Sequence, residues 1–413
     1  MKKYLLLFFA ISIASFSREL SLQESIDLAK RNNRQLKEKE ISVQQKKLNE
    51  NVKIKNALPS VRAQGTYSDY QNSNNENGVF QNGVYVSQSI FSGGEIFYNA
   101  KAGKALREFE ESDYNSQSIN LTLKVIESYI TTLQLKKSLA VYEASQKEKS
   151  EELNKLQEFY KLSLIDKSEL LKVETSLYST QTSIIKVKNS ITTEELNLKN
   201  LLGLNMNEEI TLKEMEITNF NTDDINLAQD IEAAMNNSTL AQKLDKNITI
   251  SEYNAKSSRS TFLPKVNLEY GYESLEDSSY SRANENDWQW KVGVTVKWDI
   301  FNFGSGMDSY KESTLEVDKM RLSKIDSLET LKKEITTAYL DLNMSRETIK
   351  TNEKALLTAL ETYNIDKEKF NNRIIDSVDF LKTEADLRDA QITHINSQLN
   401  YFIYYQQYLS LLK

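Results

Sequence analysis

The chain of 413 residues contains 27% charged residues, 11 glycines, 2 prolines and no cysteine. So little proline and glycine favours very long helices over compact α/β domains, and the absence of cysteine excludes disulfides and a lipid-bearing thiol. The net charge of -7 and the lack of a basic patch argue against nucleic acid as a partner.

The first 17 residues, MKKYLLLFFAISIASFS, combine two lysines, an apolar run and small residues near the end. This pattern predicts a secretory signal peptide over residues 1–17, cleaved near Ser17. A transmembrane anchor is the alternative, but the apolar run is shorter than the roughly 20 residues that a spanning helix needs.

Two halves of the sequence repeat each other. LSLQESIDLAKRNN aligns with INLAQDIEAAMNNS, and the words ALPSV and FLPKV place Pro59 and Pro264 at the same separation of 205 residues. After the strand region the separation becomes 210, as between Asp166 and Asp376. The chain is therefore predicted to be a duplicated unit. Each copy begins with a helical segment, over 18–58 and 225–262.

Apolar and polar residues alternate strictly from Trp288 to Ile300, and a similar alternation follows each proline. This pattern predicts two β-hairpins, over 59–94 and 263–304. Trp288, Trp290 and Trp298 share the apolar face, as interfacial aromatic residues flank the apolar band of outer-membrane barrels. The edge of a soluble sheet would also alternate, but the tryptophans and the signal peptide favour a strand in outer-membrane lipid.

Six residues are predicted joints between helices and strands. Proline lacks an N–H and fixes φ, so it ends a helix before a strand, whereas glycine permits turns that other residues resist. The predicted joints are Pro59, Gly93, Gly94, Pro264, Gly304 and Gly306.

The remaining segments have the seven-residue period of coiled coils. Apolar residues recur at Leu170, Leu177, Ile184, Ile191 and Leu198, and the second copy carries Phe380, Leu387, His394, Tyr401 and Tyr408. Long helices are therefore predicted over 95–203 and 305–413, with turns near 161–168 and 371–379. One such helix would be about 100 Å long, well beyond the roughly 30 Å core of a bilayer. The linker over 204–224 contains the β-like stretch EITLKEMEIT and predicts a small equatorial element.

The combined pattern resembles the TolC-like outer-membrane efflux protein family over the whole mature chain. The resemblance rests on the duplicated plan, on LPSV and LPKV, on QSIF and WDIF before glycine turns, and on IDKSELL and IIDSVDFL. It implies an α+β membrane protein that forms a homotrimer. Each protomer gives four strands to a 12-stranded β-barrel in the outer membrane, continued by a 12-helix α-barrel in the periplasm. Independently, four strands are too few to close a membrane barrel, so oligomerisation is expected from the sequence as well.

The resemblance also implies a function and partners. The expected function is a passive exit duct in a tripartite efflux or type I secretion system. The expected partners are a periplasmic adaptor (membrane fusion) protein and an inner-membrane pump or ABC exporter. The rival interpretations are an exported trimeric coiled-coil adhesin and a soluble periplasmic scaffold. An adhesin would show one stalk and one barrel segment, whereas this chain alternates helix and hairpin twice.

Four residues at the helix turns are candidate functional residues by resemblance. Asp376 and Asp379 match paired aspartates that family members place at the periplasmic entrance, where a trimer would form acidic rings. Capping of a helix N-terminus is the alternative, and the two roles are compatible. Asp166 and Arg373 are the candidate gating link, although Arg373 is shifted by one position from the family pattern.

No residue pattern indicates catalysis. The only histidine, His394, falls on the helical seam without cysteine or a second histidine, which favours packing over a metal site. Nothing resembles a nucleophile elbow or a phosphate loop. The sequence therefore predicts no enzyme activity, no metal and no cofactor.

Overall fold

The computed structural model describes residues 18–72, 75–215, 225–276 and 288–413. The predicted signal peptide and part of the predicted linker lie outside these ranges. The chain forms two compact units. The first comprises Met1–Lys37, Gln117–Ala234 and Lys332–Lys413, and the second comprises Glu38–Ser116 and Met235–Leu331.

The elements repeat in the order that the duplication predicts. Helices α3 and α7 both have 67 residues, and their first residues are 210 apart. A short 3-10 helix, Arg259–Phe262, precedes the third long strand. The elements are β1 (Arg18–Leu20), α1 (Leu22–Asn32), α2 (Arg34–Lys55), β2 (Ser60–Asn72), β3 (Asn75–Phe91), α3 (Glu95–Lys161), α4 (Lys167–Leu202), β4 (Ile210–Leu212), α5 (Leu227–Asn237), α6 (Thr239–Ser258), β5 (Lys265–Glu276), β6 (Trp288–Lys297), α7 (Ser305–Asn371) and α8 (Ser377–Leu411).

In the first unit, a two-stranded parallel sheet joins the start of the described chain to the linker. Strand β1 pairs with β4, which lies in the β-like stretch of the linker. The hydroxyl of Tyr129, a fully buried α3 residue, is 3.0 Å from the carbonyl of Leu20 and 2.6 Å from that of Lys213. This small sheet is therefore tied to the middle of α3 by a buried side chain.

The predicted seven-residue seams form the helical core of the first unit. The buried seam residues are Leu177, Ile184, Ile191 and Leu198 on α4, and Phe380, Leu387, Tyr401 and Tyr408 on α8. Their burial confirms the coiled-coil interpretation, because residues seven apart return to one side of a helix. None of the helices in the described ranges is long and apolar enough to cross a membrane.

The second unit contains an antiparallel sheet with the strand order β2-β3-β5-β6. Residues paired directly across the sheet share a face, so the register identifies the two surfaces. One row runs through Val61, Val86, Tyr270 and Val292, and the adjacent row runs through Arg62, Tyr85, Gly271 and Lys291. One face is therefore apolar and the other polar, with β2 and β6 as the sheet edges.

The predicted strand from Trp288 to Ile300 is too long by three residues. Strand β6 ends at Lys297, so Trp298 lies beyond the strand and its indole N–H donates to the carbonyl of Phe262 at 3.2 Å. The register pairs Lys297 with Lys265 and thereby places Pro264 at the next position. Proline has no N–H with which to continue the ladder.

The prediction that Gly306 permits a backbone turn at this joint is also wrong. Gly306 lies inside α7, which begins at Ser305, and a Cβ atom there would be 3.0 Å from Thr261 Cγ2. The chain turns instead at Phe303 and Gly304, with φ of 52° and 84°. The matching turn in the first copy uses Gly93 and Gly94, with φ of 63° and 85°. Gly306 is therefore needed for space, whereas the left-handed backbone lies two and three residues earlier, at Gly304 and Phe303. Pro59 lies between α2 and β2, and Pro264 lies immediately before β5.

Candidate functional site

The two turns at the ends of α3 and α7 have the same backbone geometry. Arg373 takes a left-handed φ of 58°, and Ser163, 210 residues earlier, has a φ of 56°. In the second turn the N–H of Arg373 donates to Phe370 O at 2.9 Å, and that of Ile374 donates to Lys369 O at 2.8 Å. These bonds define a Schellman motif, in which a left-handed residue satisfies the last carbonyls of a helix. The turns therefore end both long helices without glycine.

Asp376 caps the helix that follows the second turn. Its Oδ1 accepts hydrogen bonds from the backbone N–H groups of Val378 and Asp379 at 2.9 and 3.0 Å. Asp166 occupies the same position before α4 with an extended backbone, but its side chain makes no capping hydrogen bond. Asp376 therefore caps α8 with its side chain, whereas Asp166 occupies the N-cap position of α4 without a side-chain hydrogen bond.

Arg373 contacts an aromatic ring at the end of α3. Its guanidinium carbon lies 4.7 Å from the centroid of Phe159, within the range of a cation–π interaction. In the described part of the single chain, Arg373 and Asp166 form no ion pair. The predicted gating link between them stays a prediction.

A cavity of about 380 Å³ lies between the two helix turns. Its wall includes the aromatic side chains of Phe159 and Phe370, the cations Lys155 and Arg373, and the carboxylates Glu152, Glu169 and Asp376. Phe370 stacks on Phe380 with ring centroids 4.7 Å apart, so the turns rest on an aromatic core. The end of the four long helices is thus a packed structure with a charged opening.

A buried ion pair joins α3 to α8 farther along the helices. Lys149 Nζ lies 3.4 Å from Glu384 Oε2 and donates to Ser176 Oγ at 2.7 Å, while Ser145 Oγ donates to Glu384 Oε1 at 2.7 Å. Both charged side chains are about 95% buried. Burial lowers the pKa of Lys149 and raises the pKa of Glu384. The sequence analysis missed this pair, although Glu384 lies one helical turn from the seam residues Phe380 and Leu387 and so on their side of α8.

A second polar cluster lies close to this pair. Lys367 Nζ is 2.6 Å from Glu148 Oε1, and the Tyr363 hydroxyl hydrogen-bonds the same carboxylate. Burial raises the pKa of Tyr363 to about 12, and the Glu148 hydrogen bond adds to the shift. Across the described residues, no group of three or more His, Asp or Glu side chains could hold a metal ion.

The apolar face of the sheet carries a stacked aromatic cluster. Trp290 lies with ring centroids 5.0 Å from Tyr270 and 4.5 Å from Tyr272, and Trp288 is 5.1 Å from Tyr272. Trp290 is 65% exposed and Val292 is 68% exposed. A large exposed apolar surface of this kind marks contact with membrane or protein.

The opposite face carries ion pairs and hydrogen bonds. Arg62 lies 2.7 Å from Glu269, and Lys291 lies 3.4 Å from Glu273, which also accepts from the Tyr85 hydroxyl at 3.0 Å. The sheet therefore separates an apolar surface from a hydrated one, as the strands of a membrane channel must.

The family model for outer membrane efflux proteins matches residues 25–204 and 221–411. The chain belongs to the outer membrane efflux protein family. Membership places it in the outer membrane and makes it an efflux channel protein, consistent with the two-faced sheet and the long paired helices. This excludes the adhesin and scaffold interpretations.

Three solved structures show the same fold at low sequence identity. The Campylobacter jejuni CmeC outer membrane channel is 17% identical at a TM-score of 0.84, covering 95% of this chain and 85% of its own. The Vibrio cholerae outer membrane protein VceC is 13% identical at a TM-score of 0.80, and the match covers 95% of each chain. The open state of the Neisseria gonorrhoeae MtrE outer membrane channel is 12% identical at a TM-score of 0.80, and the match covers 95% of this chain and 88% of MtrE. None of the curated proteins matches the chain in sequence.

Proposed function

We propose that three copies of this outer membrane efflux protein close one 12-stranded barrel. The observation that carries the proposal is the four-stranded sheet with an apolar face and two long edges, β2 and β6. An open edge in lipid leaves backbone N–H and C=O groups unpaired, at several kcal/mol for each group. Pairing β2 of one copy with β6 of the next removes every edge.

The helices of the three copies would then form a 12-helix tunnel through the periplasm. Substrates would enter it from a periplasmic adaptor protein and an inner-membrane pump or ABC exporter, in an efflux or type I secretion system. The energy would come from that transporter, so the channel would be a passive duct without enzyme activity. Residues 1–17 would be removed on export.

Asp376 and Asp379 are proposed to form acidic rings at the entrance of the tunnel. Both capping hydrogen bonds reach Oδ1 of Asp376, which leaves Oδ2 and the whole Asp379 carboxylate for ions in the entrance. Rings of carboxylates favour cations. Capping and a ring are therefore compatible, because they use different oxygens.

Arg373 and Asp166 are proposed to hold the entrance closed through a link between neighbouring copies. Both side chains are exposed at the turns of the single chain. The left-handed backbone of Arg373 fixes the point on the turn from which its side chain extends. The Asp166 side chain makes no capping hydrogen bond.

Disulfide cross-linking tests the barrel, because the chain has no native cysteine. One cysteine replaces Val61 on β2, and a second is moved along β6 from 288 to 297. A covalent trimer is expected at one register of the scan. Val84 on the central strand β3 is the control position, since it cannot reach a neighbouring copy through an edge. No cross-link at any register would contradict the proposal.

A further inference from the structure

The ring of Tyr85 lies flat against the polar face of the sheet, over two glycines. A Cβ atom built on Gly271 would be 2.7 Å from Tyr85 Cδ1, and one built on Gly83 would be 2.8 Å from Tyr85 Cζ. Carbon atoms without a bond between them pack at about 3.5–4.0 Å. The ring can therefore occupy this place only because both positions lack a side chain.

Polar groups hold the ring from its other sides. The Arg62 guanidinium carbon lies 5.2 Å from the ring centroid, and the Tyr85 hydroxyl lies 3.0 Å from Glu273 Oε2. Glu273 in turn lies 3.4 Å from Lys291 Nζ. Tyr85 is 5% exposed as a result, although it belongs to a face that carries Arg62 and Lys291.

Tyr85 differs in kind from its neighbours on this face. Among the described side chains of the polar face, it is the only aromatic one. A ring lifted from the sheet would project in the direction of the polar face. In a barrel of three copies, three such rings would project into the lumen.

We propose that Tyr85 sets the bore of the barrel, and that Gly83 and Gly271 keep the bore wide by holding its ring flat. The inference rests on the proposed trimeric barrel and assigns its lumen a size-determining residue. The glycines act as positioning residues, because they affect passage only through the place of the tyrosine ring.

Cysteine labelling on intact bacteria measures the bore directly. Thr295, changed to cysteine, provides the only thiol and lies on the polar face of β6, four residues beyond Lys291 towards the helices. At the rise of a β-strand it is about 13 Å beyond the level of Tyr85. Thiol reagents of graded size are added outside the cells, and the largest reagent that labels the Thr295→Cys protein is used for comparison with the smallest.

Gly271→Ala and Gly83→Ala are each expected to abolish labelling by the large reagent and to retain labelling by the small one. Gly293→Ala is the matched control, because it makes the same change on the same face where no atom lies within 4 Å of the new Cβ. It should leave both reactions unchanged. Adding Tyr85→Ala to Gly271→Ala should restore labelling by the large reagent.

Two results would overturn the inference. The first is labelling of Gly271→Ala and Gly83→Ala as rapid as that of Gly293→Ala. The second is a Tyr85→Ala, Gly271→Ala double variant that stays closed to the large reagent, since the tyrosine would then not be the obstruction. Failure of every reagent to label Thr295→Cys itself would contradict the barrel, and thus the proposed function from which this inference starts.

Discussion

Replacing Glu384 by leucine is expected to destabilise the helical unit strongly. The change removes the carboxylate that faces Lys149 and leaves an ammonium group about 95% buried without its counter-ion. Ser176 Oγ remains within 2.7 Å of Lys149 Nζ, so one hydrogen bond would survive. The variant therefore loses the charge that offsets a buried cation, together with the hydrogen bond from Ser145 Oγ to Glu384 Oε1.

The expected cost follows from the burial of both groups. Removing one member of a buried pair typically costs about 3–5 kcal/mol, because the remaining charge keeps its desolvation penalty. Replacing both members by apolar residues is commonly neutral or stabilising by about 1–4 kcal/mol. The double variant Lys149→Met, Glu384→Leu is therefore expected to be at least as stable as the parent protein.

The assay is urea unfolding of the detergent-solubilised protein, followed by circular dichroism. The matched control is the exposed ion pair between Lys188 and Glu143, with an N–O distance of 3.0 Å and side chains 56% and 49% exposed. Lys188→Met should cost at most about 1 kcal/mol, because solvent screens exposed pairs. Glu384→Leu costing no more than this control, or a double variant as unstable as the single, would refute the reasoning.

Three further predictions concern the helix turns. Changing Asp376 and Asp379 to asparagine should weaken block by multivalent cations in planar bilayers while keeping the helix cap, since asparagine caps as well as aspartate; unchanged block would count against the acidic rings. Arg373→Gly should raise closed-state conductance, whereas the matching Ser163→Gly should not, and equal conductance in the two would remove the proposed link. Burial raises the pKa of Glu152 in the folded protein. The folded state therefore loses stability as pH rises from the pKa of an unfolded-state glutamate, about 4.3, through the higher pKa of the folded state. Glu152→Gln should therefore stabilise the protein at about pH 7 and give no gain at about pH 3; an equal gain at both would contradict that origin.

The helical half of the fold could be predicted because its signals are local. Seven-residue seams such as Leu177 to Ile184 need no partner to be recognised, and the duplication fixed the second turn from the first. The position of Glu384 beside the α8 seam predicts that it is buried. It does not identify Lys149 as the partner, because that contact depends on how α3 packs against α8. A seam reports which side of a helix is buried but not which residue of another helix it meets.

The details of the sheet depend on register, which the sequence alone does not contain. Apolar and polar residues continue to alternate at Trp298, beyond the end of β6. The alternation does not show where the hydrogen-bond ladder stops, which is at the pair Lys265 and Lys297, next to Pro264. Tyr85 could not be recognised without the pairing that sets it beside Gly271. Phe303 adopts the left-handed backbone of Gly93, its counterpart 210 residues earlier, although the glycine pattern pointed only to Gly304 and Gly306 at that turn.

The central claim is that three copies close one barrel, and electron cryomicroscopy of the detergent-extracted protein tests it most directly. The account predicts three copies around one axis, with four strands from each and β2 paired to β6 of the next copy. A different number of copies, or a sheet whose β2 and β6 edges remain unpaired, would contradict it.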